Sequence, residues 1–589
     1  MKELLGGNEA IARGMYEAGV KVASAYPGTP STEIFETLPL YKDVMHCEWA
    51  PNEKVGAEVA YGAAMAGVRS ACAMKMVGFN VAADPIFTAA YNGVNGGFVI
   101  FNADDPSMYS SQNEQDNRWY ALHAKLPMVE PSDSQECKDF TIKAFEISEE
   151  FDIPVIFREV TRIAHSKGLV ELGEPKDVPY KEYVKNPKKF ISTPANAFVN
   201  HVKLEEKLKK LTEFANKTDM NRMEINGSKV GVVTASIAYE YAKNAFPEDT
   251  SFLKLGFTNP LPIDLIKEFA SKVEKLYVIE ELDGFMEMQM KAAGIDCIGK
   301  EVIPNIHELS PNIIREAVGL ENPKTKKVDV EAVSRPPALC PGCPHRGFYY
   351  TLHKIANQKE FKGRLIATGD IGCYTLGAAP PLAAIDTCVC MGGGFSAGAG
   401  MAHAMKVTGR DYVVVGVLGD STFFHSGITG AVEIAYNNAN MVPVVLDNHI
   451  TAMTGHQDNP GTGYNLEGEI AEKISIEGIL KAVGFEEVLI ADPQNLKEME
   501  ETLLKAIHSE KRAAVISRRP CVLIKKLKFE KGLCQVDRNT CIGCKKCLSV
   551  GCAAVSIVEG KSMIDENQCV GCTVCAQVCP VGAIRKVDK

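Results

Sequence analysis

Eight of the nineteen cysteines in this chain fall between residues 541 and 579. They form two runs, Cys541, Cys544, Cys547 and Cys552, then Cys569, Cys572, Cys575 and Cys579 followed by Pro580. Three thiolates at two-residue intervals wrap one four-iron, four-sulfur cube, while the distant fourth reaches across to the other cube. The spacing assigns Cys541, Cys544, Cys547 and Cys579 to a first cluster and Cys569, Cys572, Cys575 and Cys552 to a second. Such a module moves electrons. A pair of structural zinc sites is the alternative, but it needs only two CxxC pairs and leaves the third cysteine of each run without a role. One departure stands out: four residues separate Cys547 from Cys552, and Ala553 stands where proline would be usual.

A second kind of chemistry is encoded upstream. A β-rich apolar run over 412–418 ends in Gly419-Asp420-Ser421, a helix is expected near 430–437, and a second strand over 441–446 ends in Asp447-Asn448. In a right-handed βαβ unit the two strands are parallel, so Asp420 and Asn448 emerge together at the carboxyl edge of the sheet. A carboxylate and an amide carbonyl are hard oxygen donors suited to Mg²⁺, with the remaining octahedral positions open to diphosphate oxygens and water. This resembles the thiamine diphosphate-binding motif, although Ser421 replaces a common glycine and Asp447 replaces a second asparagine. Gly369, Asp370 and Gly372, and the run Gly392-Gly393-Gly394, would let backbone approach a phosphate closely, or serve as turn and packing glycines.

The elements that must position these residues alternate strand and helix. Strands are expected over 20–26, 97–102 and 153–158, and a helix over 53–67. The composition turns to Lys, Glu, Pro and Asn between 168 and 229, with an amphipathic helix near 198–214. Strands resume at 230–234 and 275–280, and a charged, proline-rich stretch over 321–337 precedes the Asp420 region. The expected division is residues 1–170, an α/β domain; 171–228, a linker with a solvated helix; 229–337, a small α/β domain; 338–528, a further α/β domain; and 529–589, an α+β two-cluster ferredoxin-like domain. The resemblance to thiamine diphosphate-binding proteins implies that 1–170 is the pyrimidine-binding domain, 229–337 a transketolase-C-like domain and 338–528 the diphosphate-binding domain. The 589 residues fit three to five domains of ordinary size. The net charge of −10 gives no general attraction for nucleic acid. No long apolar run predicts a membrane span. Thiolate-ligated iron favours a reducing, oxygen-poor compartment, the cytoplasm of an anaerobe. Residues 531–589 carry eight Lys or Arg against five Asp or Glu, a face suited to an acidic ferredoxin or simply solvated.

Five separated stretches then occur in order: Ala25-Tyr26-Pro27-Gly28-Thr29-Pro30-Ser31-Thr32-Glu33, Glu48-Trp49-Ala50-Pro51-Asn52-Glu53-Lys54, Asp104-Asp105-Pro106-Ser107-Met108, Gln112-Asn113-Glu114-Gln115-Asp116-Asn117-Arg118 and Cys340-Pro341-Gly342-Cys343-Pro344-His345-Arg346. Over essentially its whole length the chain resembles the thiamine diphosphate-dependent 2-oxoacid:ferredoxin oxidoreductases, and is most similar to the large alpha subunits of the branch acting on indolepyruvate. The resemblance implies that Glu53 hydrogen-bonds the cofactor's aminopyrimidine, that Thr29 contacts the 2-oxoacid, and that Asp420, Asn448 and the Ile450 carbonyl hold Mg²⁺. It implies that Cys340, Cys343, Cys373 and Cys521 can hold a third, cofactor-proximal [4Fe-4S] cluster; buried cysteines or a zinc site are the alternatives. His345 and Arg346 would contact the cofactor or orient their loop. The cofactor would lie between domains of different subunits in an α2β2 assembly with a smaller beta subunit.

The implied reaction is oxidative decarboxylation of an arylpyruvate, indolepyruvate or phenylpyruvate, with coenzyme A, giving aryl-acetyl-CoA and CO₂ and passing electrons through the clusters to ferredoxin. A different 2-oxoacid is the nearest alternative. An electron-carrier subunit with a vestigial thiamine site is another, in which Glu53 and Asp420 would be dispensable.

Overall fold

The computed structural model describes residues 1–324, 329–331, 333, 336–527 and 532–588. Three readings fall partly outside them: the 321–337 connection, the boundary at 528–529, and the ends of the basic stretch, Lys531 and Lys589. The chain divides into two compact units, Met1–Asp329 and Val330–Lys589.

The first unit is built on a seven-stranded sheet in the order Phe257–Asn259, Met128–Val129, Val155–Val160, Phe98–Asp104, Ser70–Lys75, Val22–Ala25 and His46–Trp49. All its pairings are parallel except that of Phe257–Asn259 with Met128–Val129. Phe98–Asp104 and Val155–Val160 are buried along their whole length, which is why their opening residues, FVIF and VIF, read as apolar runs without alternation. A second sheet of the same unit has the order Lys275–Ile279, Val230–Ala235, Ser251–Leu255 and Arg222–Glu224. The short strand Phe257–Asn259 follows directly on Ser251–Leu255 yet joins the first sheet, so the chain stitches the two sheets together. Lys2–Gly6 pairs antiparallel with Lys167–Glu171. The helix Pro194–Ala215 is capped by Thr193, with Pro194 in its first turn, and buries only Asn200, Leu204, Leu211 and Ala215.

The second unit centres on a six-stranded parallel sheet in the order Thr387–Cys388, Leu365–Gly369, Val413–Gly419, Val442–Asp447, Ala513–Arg518 and Glu487–Ala491. Its strands feed two cores by alternation: Val415, Val417, Val444, Leu446 and Val515 point to one, Val414, Leu418, Val445, Ala514 and Ile516 to the other. At the carboxyl terminus two small antiparallel pairs, Gly532–Val536 with Ile584–Asp588 and Val555–Val558 with Lys561–Ile564, enclose a core in which Cys534, Cys547 and Cys575 are themselves packing residues. The architecture is α/β with a small α+β domain at its end.

Candidate active site

In the second unit Val413–Gly419 and Val442–Asp447 are adjacent and parallel, with Gly419 opposite Leu446, so Asp420 and Asn448 leave the same sheet edge. The helix expected from 430 instead begins at Asp420 itself, runs through a π-helical turn at Phe423–Gly427 and continues as Ile428–Tyr436. Its first turn therefore holds Asp420, and a π turn interrupts it where a regular helix was expected.

Asp420 is buried, and burial together with the negative charge of Asp447 pushes its carboxyl up to about 8. A buried carboxyl that resists ionisation is a donor that a divalent cation would relieve. Asn459 Nδ2 donates to Asp420 Oδ2 at 3.1 Å and fixes the carboxylate. Arg518 Nε holds Asp447 at 2.7 Å. Asn448 Nδ2 lies 3.2 Å from His345 Nε2, and His345, held down to about 4 by burial, presents a neutral ring nitrogen to accept that bond. The Asn448 Oδ1 accepts from Ile450 N at 3.2 Å, fixing the turn whose carbonyl was assigned to the metal. Among the described residues no three His, Cys, Asp or Glu side chains are drawn together tightly enough for a single ion. One carboxylate with amide and backbone oxygens is the sparse set Mg²⁺ uses when phosphates complete it.

The glycines of this edge are held by the protein around them. A Cβ at Gly372 or Gly419 would meet the Tyr374 ring at 2.3 or 2.4 Å, and one at Gly394 the Val417 carbonyl at 2.3 Å. At Gly369 it would meet Ile385 at 2.8 Å, and Gly392 combines φ +87° with Ser426 Oγ at 2.3 Å. Gly393 alone of the run has room, with Cys390 Sγ at 3.4 Å. Asp370 Oδ2 accepts from Gly394 N at 3.0 Å, and burial lifts its carboxyl to about 7. Tyr374 locks the edge by donating to the Ile371 carbonyl at 2.7 Å and sharing a 2.8 Å bond with Thr422 Oγ1. Ser421 Oγ accepts from Thr451 Oγ1 at 2.9 Å.

Cys340, Cys343, Cys373 and Cys521 come from three separate places and converge beside this edge. Cys343 feels the charges of Cys373 and Cys340, Cys373 those of Cys521 and Cys340, and Cys521 that of Cys340. Burial lifts the thiols of Cys343 and Cys373, to about 12 and about 11, and raises that of Cys521. Cys521 N donates to the Asn448 carbonyl at 2.9 Å, tying the thiol group to the oxygen site.

In the terminal domain one small pocket is lined by Cys541, Cys544, Cys547 and Cys579 together. Cys552, Cys569 and Cys572 interact as a second group, and Cys575 interacts with both Cys572 and Cys552. Backbone N–H groups already point at the sulfurs: Ala583 to Cys579 at 3.3 Å and Cys534 to Cys569 at 3.2 Å. Cys534 is a ninth, buried cysteine of this domain, and its thiol bonds Cys575 and Cys569. Sequence reading passed over it, although an extra cysteine ahead of the first run was visible.

In the first unit, Glu53 opens the helix Glu53–Ala66, whose cap Asn52 accepts from Val55 N at 2.9 Å. Glu53 is 5% exposed, and its Oε1 occupies the space, 2.6 Å away, that a Cβ at Gly78 would need. Thr29 lines a separate cavity of about 360 Å³ with Tyr109, Ser110, Arg162, His165 and Glu281. Asp105 holds its wall, accepting from Ser110 N at 2.9 Å, Ser111 Oγ at 2.7 Å and Thr161 Oγ1 at 2.8 Å. Arg162 is clamped to Glu308 at 2.6 Å, and His165 lies 3.6 Å from Glu33, whose bond raises the imidazole. Burial lifts Glu281 to about 7. Asn459, Tyr374 and the Glu33–His165 pair were invisible to sequence reading, since no spacing links them to their partners.

Residues 13–225 match the family described as pyruvate flavodoxin/ferredoxin oxidoreductase, thiamine diP-binding; residues 370–517 match the C-terminal TPP-binding domain of thiamine pyrophosphate enzymes, and residues 563–585 match a 4Fe-4S binding domain. Fold and site thus define a thiamine diphosphate-dependent 2-oxoacid:ferredoxin oxidoreductase with an iron–sulfur electron path. Indolepyruvate oxidoreductase subunit IorA of Methanothermobacter marburgensis is 43% identical over 99% of this chain and 97% of its own, and that of Archaeoglobus fulgidus is 40% identical over 99% and 97%. The chain belongs to the indolepyruvate oxidoreductase IorA family. A solved 2-oxoglutarate:ferredoxin oxidoreductase from Magnetococcus marinus is 18% identical over 54% of this chain and 65% of its own, with a TM-score of 0.46.

Proposed function

We propose that this chain, with a smaller partner subunit in an α2β2 assembly, converts an arylpyruvate and coenzyme A to an aryl-acetyl-CoA and CO₂, releasing two electrons to ferredoxin and one proton to solvent. The observation that carries the reading is the convergence of Asp420, Asn448 and four thiols from three places in the chain on one sheet edge. The full-length kinship with subunits named for indolepyruvate supports the substrate class. Thiamine diphosphate, when bound, supplies the nucleophilic carbon that accepts the 2-oxo group. Asp420, Asn448 and the Ile450 carbonyl would hold Mg²⁺; Gly369, Asp370, Gly372, Gly392, Gly393, Gly419 and Ser421 would shape the cofactor's seat. Glu53 would hydrogen-bond the aminopyrimidine from a buried helix start, and Thr29 would face the 2-oxoacid. Cys340, Cys343, Cys373 and Cys521 would hold a proximal cluster, with the two further clusters on the terminal cysteines. The division into segments 1–170, 171–228, 229–337, 338–528 and 529–589 is part of the same reading.

The test is anaerobic reduction of ferredoxin by the purified complex with coenzyme A and, in turn, indolepyruvate, phenylpyruvate, pyruvate and 2-oxoglutarate. Coenzyme A-dependent reduction is expected with the aryl acids. Preference for pyruvate or 2-oxoglutarate would overturn the substrate class.

A further inference from the structure

Two exposed thiols of this chain stand outside all three cysteine sets. Twelve of the nineteen cysteines fall in those sets, Cys534 bonds Cys575 and Cys569, and Cys47, Cys72, Cys137 and Cys297 are buried. Cys388 and Cys390 remain, both exposed, and Val389 between them is 63% exposed. One intervening residue is too few for the CxxC step that wraps an iron–sulfur cube.

The sheet edge that carries the candidate site also fixes this pair. The strand Thr387–Cys388 runs parallel to Leu365–Gly369, and Cys388 stands opposite Gly369, the residue before Asp370. Past Cys390 the chain turns into the Gly392–Gly394 run. There Gly393 N donates to the Cys390 carbonyl at 3.0 Å, and Ser426 Oγ donates to the Met391 carbonyl at 3.0 Å. The segment 388–390 is therefore pinned at both ends while its side chains stay open to solvent. Both thiols feel the charge of Asp370, and Cys388 bonds Thr375, whose hydroxyl donates to the Asp370 carbonyl at 2.6 Å. A Cβ on Gly393 would lie 3.4 Å from Cys390 Sγ, so the roomy glycine of the run has this sulfur beside it.

Distance decides which chemistry suits the pair. On an extended backbone, residues i and i+2 point to one side with Cα atoms roughly 6.6 Å apart. A disulfide prefers about 5.5–6 Å between Cα atoms and holds its sulfurs about 2.05 Å apart, so it would have to shorten a segment pinned at both ends. Burial and the Asp370 charge also raise both thiols, which slows attack on an oxidant because the thiolate is the nucleophile. One soft atom bonded to both sulfurs at about 2.3 Å each leaves them up to about 4.6 Å apart and asks for no such movement.

We propose that Cys388 and Cys390 form a dithiol site for one soft, thiophilic centre, a trivalent arsenical or a monovalent copper ion, and that filling it closes the diphosphate seat at Gly392–Gly394. This rests on the reading that those glycines shape the cofactor's seat. With an arsenical, two S–H and two As–OH bonds break, two As–S bonds form and two waters leave. With copper, two S–Cu bonds form and two protons pass to solvent. No electron is transferred in either case.

The test uses the anaerobic, iron-loaded complex freed of thiamine diphosphate, carrying either the unaltered chain or Cys388→Ser with Cys390→Ser. Each is exposed to phenylarsine oxide or to monovalent copper from a weak chelate and then gel-filtered. Elemental analysis reads arsenic, copper and iron per chain, and calorimetry reads binding of magnesium and thiamine diphosphate. The unaltered complex is expected to take up one more centre per chain than the double variant, at unchanged iron, and to bind thiamine diphosphate roughly tenfold or more weakly. A dithiol, but not a monothiol, should reverse both effects, and the double variant should bind the cofactor normally with either probe present. Uptake of arsenic alone or of copper alone upholds the site and names its source. Equal uptake of both probes by the two complexes would overturn the site, and uptake without loss of cofactor affinity would overturn the closure. Iron lower by one cluster in the double variant would assign the thiols to an iron site and overturn the proposal as well. If the untreated complex binds no thiamine diphosphate, the proposed function fails, while the uptake difference still decides the dithiol site.

Discussion

Replacing Arg118 by methionine should loosen the first unit at one identifiable place. The Arg118 guanidinium, 3% exposed, bonds Asp116 at 2.5 Å and Glu280 at 2.6 Å, both carboxylates 1% exposed, and donates to the carbonyls of Glu281 and Asp283 at 2.8 and 2.9 Å. Asp116 and Arg118 both belong to the Gln112–Arg118 motif, whereas Glu280 directly follows the strand Lys275–Ile279 of the other sheet. Burial pushes Asp116 up, but Arg118's two-pronged charge wins and holds it below its ordinary range; at Glu280 burial outweighs the single prong, and the carboxyl rises. Methionine fills the volume but leaves Glu280 without its paired cation and Asp116 with only Arg158, 3.9 Å away, at a cost of about 3–5 kcal/mol. Native-state hydrogen exchange followed by mass spectrometry would read this as exchange accelerated by roughly 150- to 5,000-fold in peptides covering Phe98–Asp104 and Lys275–Ile279. Glu280→Gln in the same chain should recover part of the loss, and Arg538→Gln, which breaks a pair with the 80%-exposed Glu559, should change nothing. Unchanged exchange in both strands of the Arg118→Met protein would refute the idea that this network holds the sheets together.

Glu53→Gln should lower turnover by roughly 10²- to 10⁴-fold while leaving dithionite reduction of every cluster intact, because the loss lies in proton handling at the cofactor; a full-speed variant would revive the electron-carrier reading. Glu281, raised by burial to about 7, binds its proton in the folded state at pH values where the unfolded chain has lost it, so stability falls as pH rises from about 4.5 to 7 and stays reduced above. Glu281→Gln should therefore gain on the unaltered protein between pH 5 and pH 8, by up to about 3 kcal/mol of local opening free energy; equal pH slopes would contradict it. An iron-bound Cys575 cannot keep a proton, so the bond it shares with Cys534 must be donated by the Cys534 thiol. Cys534→Ala should then make the midpoint potential of that cluster more negative in an EPR redox titration, since a donor to ligand sulfur favours the reduced state. Asp420→Ala should abolish magnesium-dependent thiamine diphosphate binding by calorimetry without altering iron content.

Much of the fold was legible because its strands are buried on both faces: an unalternating run such as FVIF at the start of Phe98–Asp104 suits a strand covered on both sides of a parallel sheet. The edge strand Phe257–Asn259 was not, since three residues carry no period, and its place depends on a partner at Met128–Val129 far away in sequence. The helix start at Asp420 was misplaced because a π turn breaks the 3.6-residue pattern there.

For the site, residue type and spacing determined the chemistry: thiolates two residues apart define cluster ligands, and an acid and an amide at consecutive parallel strand ends define an oxygen pair, because backbone geometry carries local spacing directly into space. What only the tertiary structure decided is everything joined across the chain. Cys340 and Cys521 come near enough for their charges to interact although 181 positions separate them, Asn459 and Tyr374 brace a site no motif announces, and Arg346 bonds Val550 and Gly551. Local spacing is inherited from covalent geometry. Long-range proximity exists only once the sheet and its cores have packed.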